Sequence, residues 1–226
     1  MIAFADAGDT GRFRPLSSPS RVFCEYERVN VKQAQEDVRR VYRGGFSGPL
    51  VAAVIWAAAS AASQWGSPAT AMAVLFFGGM LIFPLSSLVL KLMGGPASLA
   101  KGHPSIALAM QSAFTVPLGL LVAIALGAVE PSLFLPASLI IVGAHYLTFI
   151  SLYGMRAYGV LAGVLVAVGA VAIFAVPALR DLSGWIGCVV LLVFAGSLFV
   201  AYRAEFQHTA ALTSPALRDV GVSDVS

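Results

Sequence analysis

Apolar residues fill six long stretches of the chain, none of which contains a charged side chain, and short polar breaks separate them. The stretches are Pro49 to Trp65, Ala69 to Leu90, Ile106 to Leu126, Ser132 to Gly154, Ala157 to Val176 and Ser183 to Tyr202. Each approaches the roughly 20 residues that a helix needs to cross about 30 Å of hydrocarbon. Transmembrane strands do not fit, because they alternate apolar and polar over about ten residues. Gly159 to Val176, by contrast, is apolar on every face. The predicted fold class is therefore all-α: a polytopic membrane bundle of six helices.

The breaks carry turn chemistry. Gly66-Ser67-Pro68, Gly94-Gly95-Pro96, Gly102-His103-Pro104 and Glu130-Pro131 separate successive spans. Glycine permits positive φ, and proline cannot continue a helix. Only Met155-Arg156 separates spans four and five, which predicts a tight antiparallel hairpin. Ahead of the first span, Val31, Ala34, Val38 and Val41 recur at spacings of three and four. That stripe predicts a short amphipathic helix from Glu25 to Arg43. It would act as a juxtamembrane segment or lie on the inner leaflet, where each Lys or Arg adds about 1 kcal/mol with anionic lipid. The expected organisation is a disordered tail over 1–22, a cytoplasmic juxtamembrane helix over 23–45, the six-helix domain over 46–204 and a disordered tail over 205–226.

Charge changes the picture by giving an orientation. Charged residues make up 11% of the chain, against about 25% in a soluble domain. With the N-terminus in the cytoplasm, thirteen of the fourteen cations fall on inside segments, and only Arg180 falls outside. This positive-inside asymmetry predicts a membrane protein with both ends in the cytoplasm. No secretory leader is expected, since the first apolar run follows a charged stretch. No basic stripe with interleaved aromatics is present, so nucleic acid is not an expected partner. Cys24 lies in the charged tail and Cys188 within a span, so no disulfide is expected between them.

Polar residues inside the spans are few, and each is informative. His145 lies about nine residues before the cytoplasmic end of span four, roughly 13 Å deep. Gln111 and Ser112 fall at comparable depth in span three, and Ser86 and Ser87 do so in span two. Thr148, Ser151 and Tyr153 continue the pattern in span four. This predicts a polar pocket opening to the cytoplasm, built from His145, Gln111, Ser86, Ser87, Thr148 and Tyr153, with Lys91 and Arg156 at its mouth. His145 is expected to face the bundle on a surface shared with Thr148, Phe149 and Leu152, and to meet Gln111 or Ser86. The competing reading is helix-packing glue, in which the imidazole hydrogen-bonds a neighbouring helix for about 0.6 kcal/mol.

Other chemistry is disfavoured. Gly45-Phe46-Ser47-Gly48 has the GxSG pattern of rhomboid proteases, but Ser47 stands at the start of span one and His145 lies deeper. His103, His145 and His208 are scattered and have no acidic or Cys companions, so no metal site and no cofactor are expected. Gly159/Gly163 and Gly163/Ala167 read as close helix packing.

Two motifs, Phe77-Gly78-Gly79-Met80-Leu81-Ile82-Phe83-Pro84-Leu85-Ser86 and Gly143-Ala144-His145-Tyr146 followed by Leu152-Tyr153-Gly154-Met155-Arg156-Ala157-Tyr158, resemble a bacterial membrane family. The family is catalogued as a domain of unknown function. The resemblance covers about residues 40–200 and includes a tryptophan in span one, here Trp56; Thr148 stands where a proline is expected. It implies a bacterial inner-membrane protein with His145 in a recurring motif, and no particular activity.

Two function classes fit these residues. One is a small permease-like protein with the inner-half pocket as its site and a small molecule as ligand. The other is a non-transporting scaffold, partner subunit or lipid-interacting protein. An enzyme is not expected. The lipid bilayer is the certain partner by composition, and a second copy of the chain is a candidate one. The spans hold no carboxylate, so coupling to protons or sodium lacks its usual ion site.

Overall fold

The computed structural model describes residues 31–95 and 98–219, with side chains up to 204. The described residues are helical and contain no strand. Six helices are long and apolar enough to cross a membrane: Arg43–Trp65, Pro68–Leu92, Ser105–Val129, Pro131–Tyr153, Ala157–Ala175 and Ser183–Ala204. They reproduce the six predicted spans to within a few residues at most ends. Before them comes α1, helical over 31–41. The regular helices of the spans are α2 (Ser47–Trp65), α3 (Pro68–Leu92), α4 (Ser105–Val129), α5 (Phe134–Tyr153), α6 (Ala157–Ala170) and α7 (Ser183–Asp219).

Local chemistry sets the boundaries. Ser67 caps α3 by accepting from the Thr70 amide at 3.1 Å, with Pro68 in the first turn. Such a cap satisfies one of the orphan amides of a helix start. His103 does the same for α4, its Nδ1 accepting from the Ser105 amide at 3.2 Å. Gly154, in the left-handed region at φ 66°, ends α5 and makes the predicted tight turn into α6. Beyond α6 the chain widens into a π turn over Val171–Ala175. Arg180 reaches back over that turn and donates to the carbonyls of Ala172 at 3.2 Å and Ile173 at 3.0 Å.

α2 forms the centre. Trp56, Ala52, Ala53 and Ala59 are buried, and α3 and α7 pack on either side of it. α5 packs chiefly on α6 and α4. α3 and α4 are peripheral and touch each other sparingly. Small residues mark the closest approaches: a Cβ on Gly143 would come within 3.0 Å of the Ala162 carbonyl. Close packing through Gly163 is not what forms, since a Cβ there would meet nothing within 4 Å.

α1 docks across one end of the bundle. Val38 is fully buried, while Val31 at the start of the stripe is exposed. Gln35 Nε2 donates to the Ser151 carbonyl at 2.8 Å and Arg39 Nη1 to the Tyr153 carbonyl at 2.6 Å. These are orphan carbonyls of the last turn of α5. Arg43 donates to the Met93 carbonyl at 3.1 Å, and Asp37 lies 3.7 Å from His103. The end of the sixth span returns to the same side, where Phe46 and Phe199 rings meet at 5.0 Å. Trp65 and Trp185 meet at 6.2 Å at the opposite end.

The tail expected over 1–22, the part of the 23–45 helix before residue 31, and Cys24 lie outside the described residues. The α7 backbone stays helical to Asp219, past residue 205, where an irregular tail is expected. Ala204, Glu205, Gln207, Ala210, Ala211 and Leu212 in the segment after Tyr202 favour helix.

Candidate functional site

α2, α3, α4 and α5 enclose a cavity of about 200 Å³. It starts at the α1 end, where Tyr42 and Ser47 stand, and reaches past the middle of the bundle to Leu75 and Leu120. The wall is chiefly aliphatic and aromatic. Its polar groups are Ser47, Ser86, Ser87, His145 and the tyrosines 42, 146 and 153; no Asp, Glu, Lys or Arg lines it.

α5 supplies the most structured wall. Val142, His145, Tyr146, Phe149, Leu152 and Tyr153 all line the space, at the three- and four-residue spacing of one helix face. Their rings lock together. His145 contacts Phe149 at 4.9 Å, and Phe149 stacks on Tyr153 at 5.7 Å with only 13° between ring planes. Tyr158 of α6 backs this wall, 5.1 Å from Tyr153 and 5.3 Å from Phe194. Aromatic contacts of this kind add about 0.5–1.5 kcal/mol each beyond burial.

His145 Nδ1 and Ser112 Oγ are 2.8 Å apart, joining α5 to α4. Ser112 is buried and does not line the cavity, whereas His145 is half-buried and does. With Ser112 buried outside the wall, its hydroxyl has no access from the cavity to a reacting carbon. It orients the ring and leaves Nε2 without a partner among the described residues.

The hydroxyls are the more telling groups. Tyr146 and Tyr153 are only 4% and 6% exposed. Neither hydroxyl has a protein hydrogen-bond partner among the described residues, yet none of those residues holds a polar side-chain atom both sealed and unpartnered. Both oxygens therefore keep some accessible surface, on residues that line the cavity. Outside the spans proper, burial pushes the Tyr42 phenol up, and a hydrogen bond with the Leu99 backbone opposes the shift.

The predicted site residues divide clearly. His145, Ser86, Ser87 and Tyr153 line the cavity together. Ser86 Oγ donates to the Ser47 carbonyl at 3.4 Å, not to His145. Gln111 is exposed and outside the wall; its neighbour Ser112, about 100° around the helix, makes the contact to His145. Thr148 is half-buried and also outside the wall, because the inward face is rotated toward Tyr146. Lys91 and Arg156 are exposed and do not line the cavity, so they form no mouth; the Tyr42 side chain stands at that end. The space is largely apolar, unlike the expected polar pocket. Sequence reasoning missed Tyr42, Trp56 and Tyr146 as wall residues, although Tyr146 sits beside His145 in the quoted motif.

An all-helical bundle of six long apolar helices defines a polytopic membrane protein. Over residues 31–201 the chain matches a family of unknown function, DUF7010, and it belongs to that family. Comparison with curated proteins and with solved structures gives no match. Both motifs that carry the resemblance lie inside the matched range.

Proposed function

We propose that this chain is a small permease-like protein of a bacterial inner membrane, with both ends in the cytoplasm, which binds an uncharged small molecule in the cavity among α2–α5. One observation carries the reading: Tyr146 lines the cavity and is otherwise buried, while its hydroxyl keeps accessible surface and has no protein partner among the described residues. A buried hydroxyl without a hydrogen bond costs about 1–3 kcal/mol, so a ligand or water there has a polar group waiting for it. The cation asymmetry supports placing the α1 end in the cytoplasm. The role proposed is binding and passage, not catalysis.

The test is purification in native lipids, with mass spectrometry of what co-purifies, for the natural chain and for Ala113→Trp, which fills the cavity from α4. A small molecule present with the first and lost from the second supports the reading. Its uptake into vesicles containing the natural chain then supports passage over mere binding. If nothing beyond bulk lipid is retained, and a cysteine at 113 resists both water-soluble and membrane-soluble thiol reagents, the cavity is a packing void and the reading falls.

A further inference from the structure

We infer that the ligand is a lipid-soluble molecule with a neutral hydrogen-bonding head, a hydroxyl or carbonyl, and an apolar body, and that it reaches the cavity sideways from the bilayer between α3 and α4. The inference rests on reading the cavity as a binding site, and it adds the chemistry of the ligand and its route.

The head follows from the wall. No charged side chain lines the cavity, so a phosphate, carboxylate or ammonium would be buried there without a counter-charge, at a large desolvation penalty. The available groups are the Tyr146 and Tyr153 hydroxyls and the free Nε2 of His145. A hydroxyl can donate or accept, and a neutral imidazole nitrogen does one or the other. Together they suit one neutral polar group, surrounded by the aromatic faces of Phe149 and Trp56.

The route follows from which residues wall the space. Met80 and Phe83 of α3 line the cavity, yet they are 55% and 57% exposed. The same short stretch of helix therefore faces the interior and the outer surface of the bundle, and around a span that surface is hydrocarbon. α3 and α4 close on each other toward the far end. A Cβ on Gly79 would lie 3.8 Å from Leu120 Cδ1, and Gly127 leaves no room beside Met72. Gly79 and Leu120 themselves line the cavity, and the Gly127–Met72 approach lies beyond it. The aqueous end is covered instead. Tyr42 stands there, while α1 is pinned to the end of α5 through Gln35 and Arg39.

Size gives the last constraint. The cavity, about 200 Å³, is smaller than the roughly 300–1,000 Å³ of pockets that swallow a whole drug-sized ligand. A head group and the first part of a chain fit inside. The remainder stays between α3 and α4 in contact with lipid.

Photolabelling in vesicles of phosphatidylethanolamine and phosphatidylglycerol tests this on the full chain. The probes are dodecanol with a diazirine in mid-chain and the same chain ending in a methyl group. The alcohol is expected to label the stretch containing Met80 and Phe83. Half-saturation should shift about tenfold in Tyr146→Phe, the factor equivalent to 1.4 kcal/mol, near the upper range for one net hydrogen bond. Ala113→Trp should abolish the saturable labelling. Equal labelling by alcohol and hydrocarbon, unchanged in both variants, is ordinary lipid contact and overturns the inference. A third arm separates the two readings. If Ala113→Cys reacts with a water-soluble thiol reagent and dodecanol does not protect it, the cavity stands as a site while the lipid-soluble class and lateral route fall. Protection by dodecanol but not by the hydrocarbon supports both.

Discussion

Ser112 Oγ and His145 Nδ1 meet at 2.8 Å across the α4–α5 interface. In hydrocarbon there is no water to replace that hydrogen bond, but the bond is still worth little on average, because the unfolded chain in the membrane also finds partners.

Breaking this contact should therefore weaken the bundle only modestly. Ser112→Ala and His145→Phe, combined in a double-mutant cycle, should give a coupling energy of about 0.6 kcal/mol, read by unfolding in mixed detergent. A coupling near zero would mean that the imidazole is held by its ring contacts with Phe149 and Tyr146.

Two glycines should behave in opposite ways. Gly45 has φ 81° and lies against two tyrosines; a Cβ there would come within 2.7 Å of the Tyr153 ring. Gly45→Ala combines left-handed strain with a collision against residues packed in the core, and should destabilise by about 2 kcal/mol or more. Gly163 lies inside α6, and a Cβ there would meet nothing within 4 Å. Gly163→Ala should be neutral or stabilising by up to about 1 kcal/mol, from helix propensity. Thermal melting of the two variants in the same detergent checks the contrast.

Much of this fold was legible from sequence, because unbroken apolar runs and Gly/Pro punctuation report span number and approximate ends. The face that each span turns inward was not. In water, polarity separates inside from outside around a helix. In lipid both sides are apolar, so Gln111 and Ser112 could not be told apart by pattern, nor Thr148 from Tyr146. The same loss of contrast hid Gly163 facing open space while Gly143 packed tightly. Lys91 and Arg156 were placed at a mouth on depth alone, and depth does not say which way a helix is rotated. The docking of α1 left some trace in Gln35 and Arg39, four residues apart on one face, but their acceptors are backbone carbonyls that no sequence pattern announces.

Alkaline pH should loosen the α1 end. Burial raises the Tyr42 phenol above its ordinary range, which is about 10. The folded form therefore holds its proton more tightly than the unfolded form. The stability this brings is fully present below about pH 10 and is lost as the pH rises through the folded value. A spin-label pair on 32 and 156 should report a broadened distance between α1 and the α5–α6 turn above pH 10. Tyr42→Phe, which cannot ionise, should move that transition; an unchanged profile would assign it to other groups.

Among the described residues Arg180 lies at the end opposite α1, and its hydrogen bonds hold it there. It donates to the carbonyls of Ala172 and Ile173, which the π turn at the end of the fifth span leaves without helical partners. The side chain is thus tied to local backbone, and the orientation is expected to follow the cations at the α1 end. Arg39, Arg43, Lys91, Lys101, Arg156 and Arg203 all belong to that end by helix order. With Cys24 and Cys188 replaced by Ser and Ala, cysteines at Ser132 and Asp181 should react with an impermeant maleimide on intact cells. Cysteines at Lys101 and Arg156 should react only after lysis. The opposite pattern at all four positions would invert the protein in the membrane and turn the α1 end of the cavity to the periplasm. Arg180→Gln should leave the labelling pattern unchanged and lower the melting temperature, since it removes the guanidinium that bridges both carbonyls without changing the balance of charge at the α1 end.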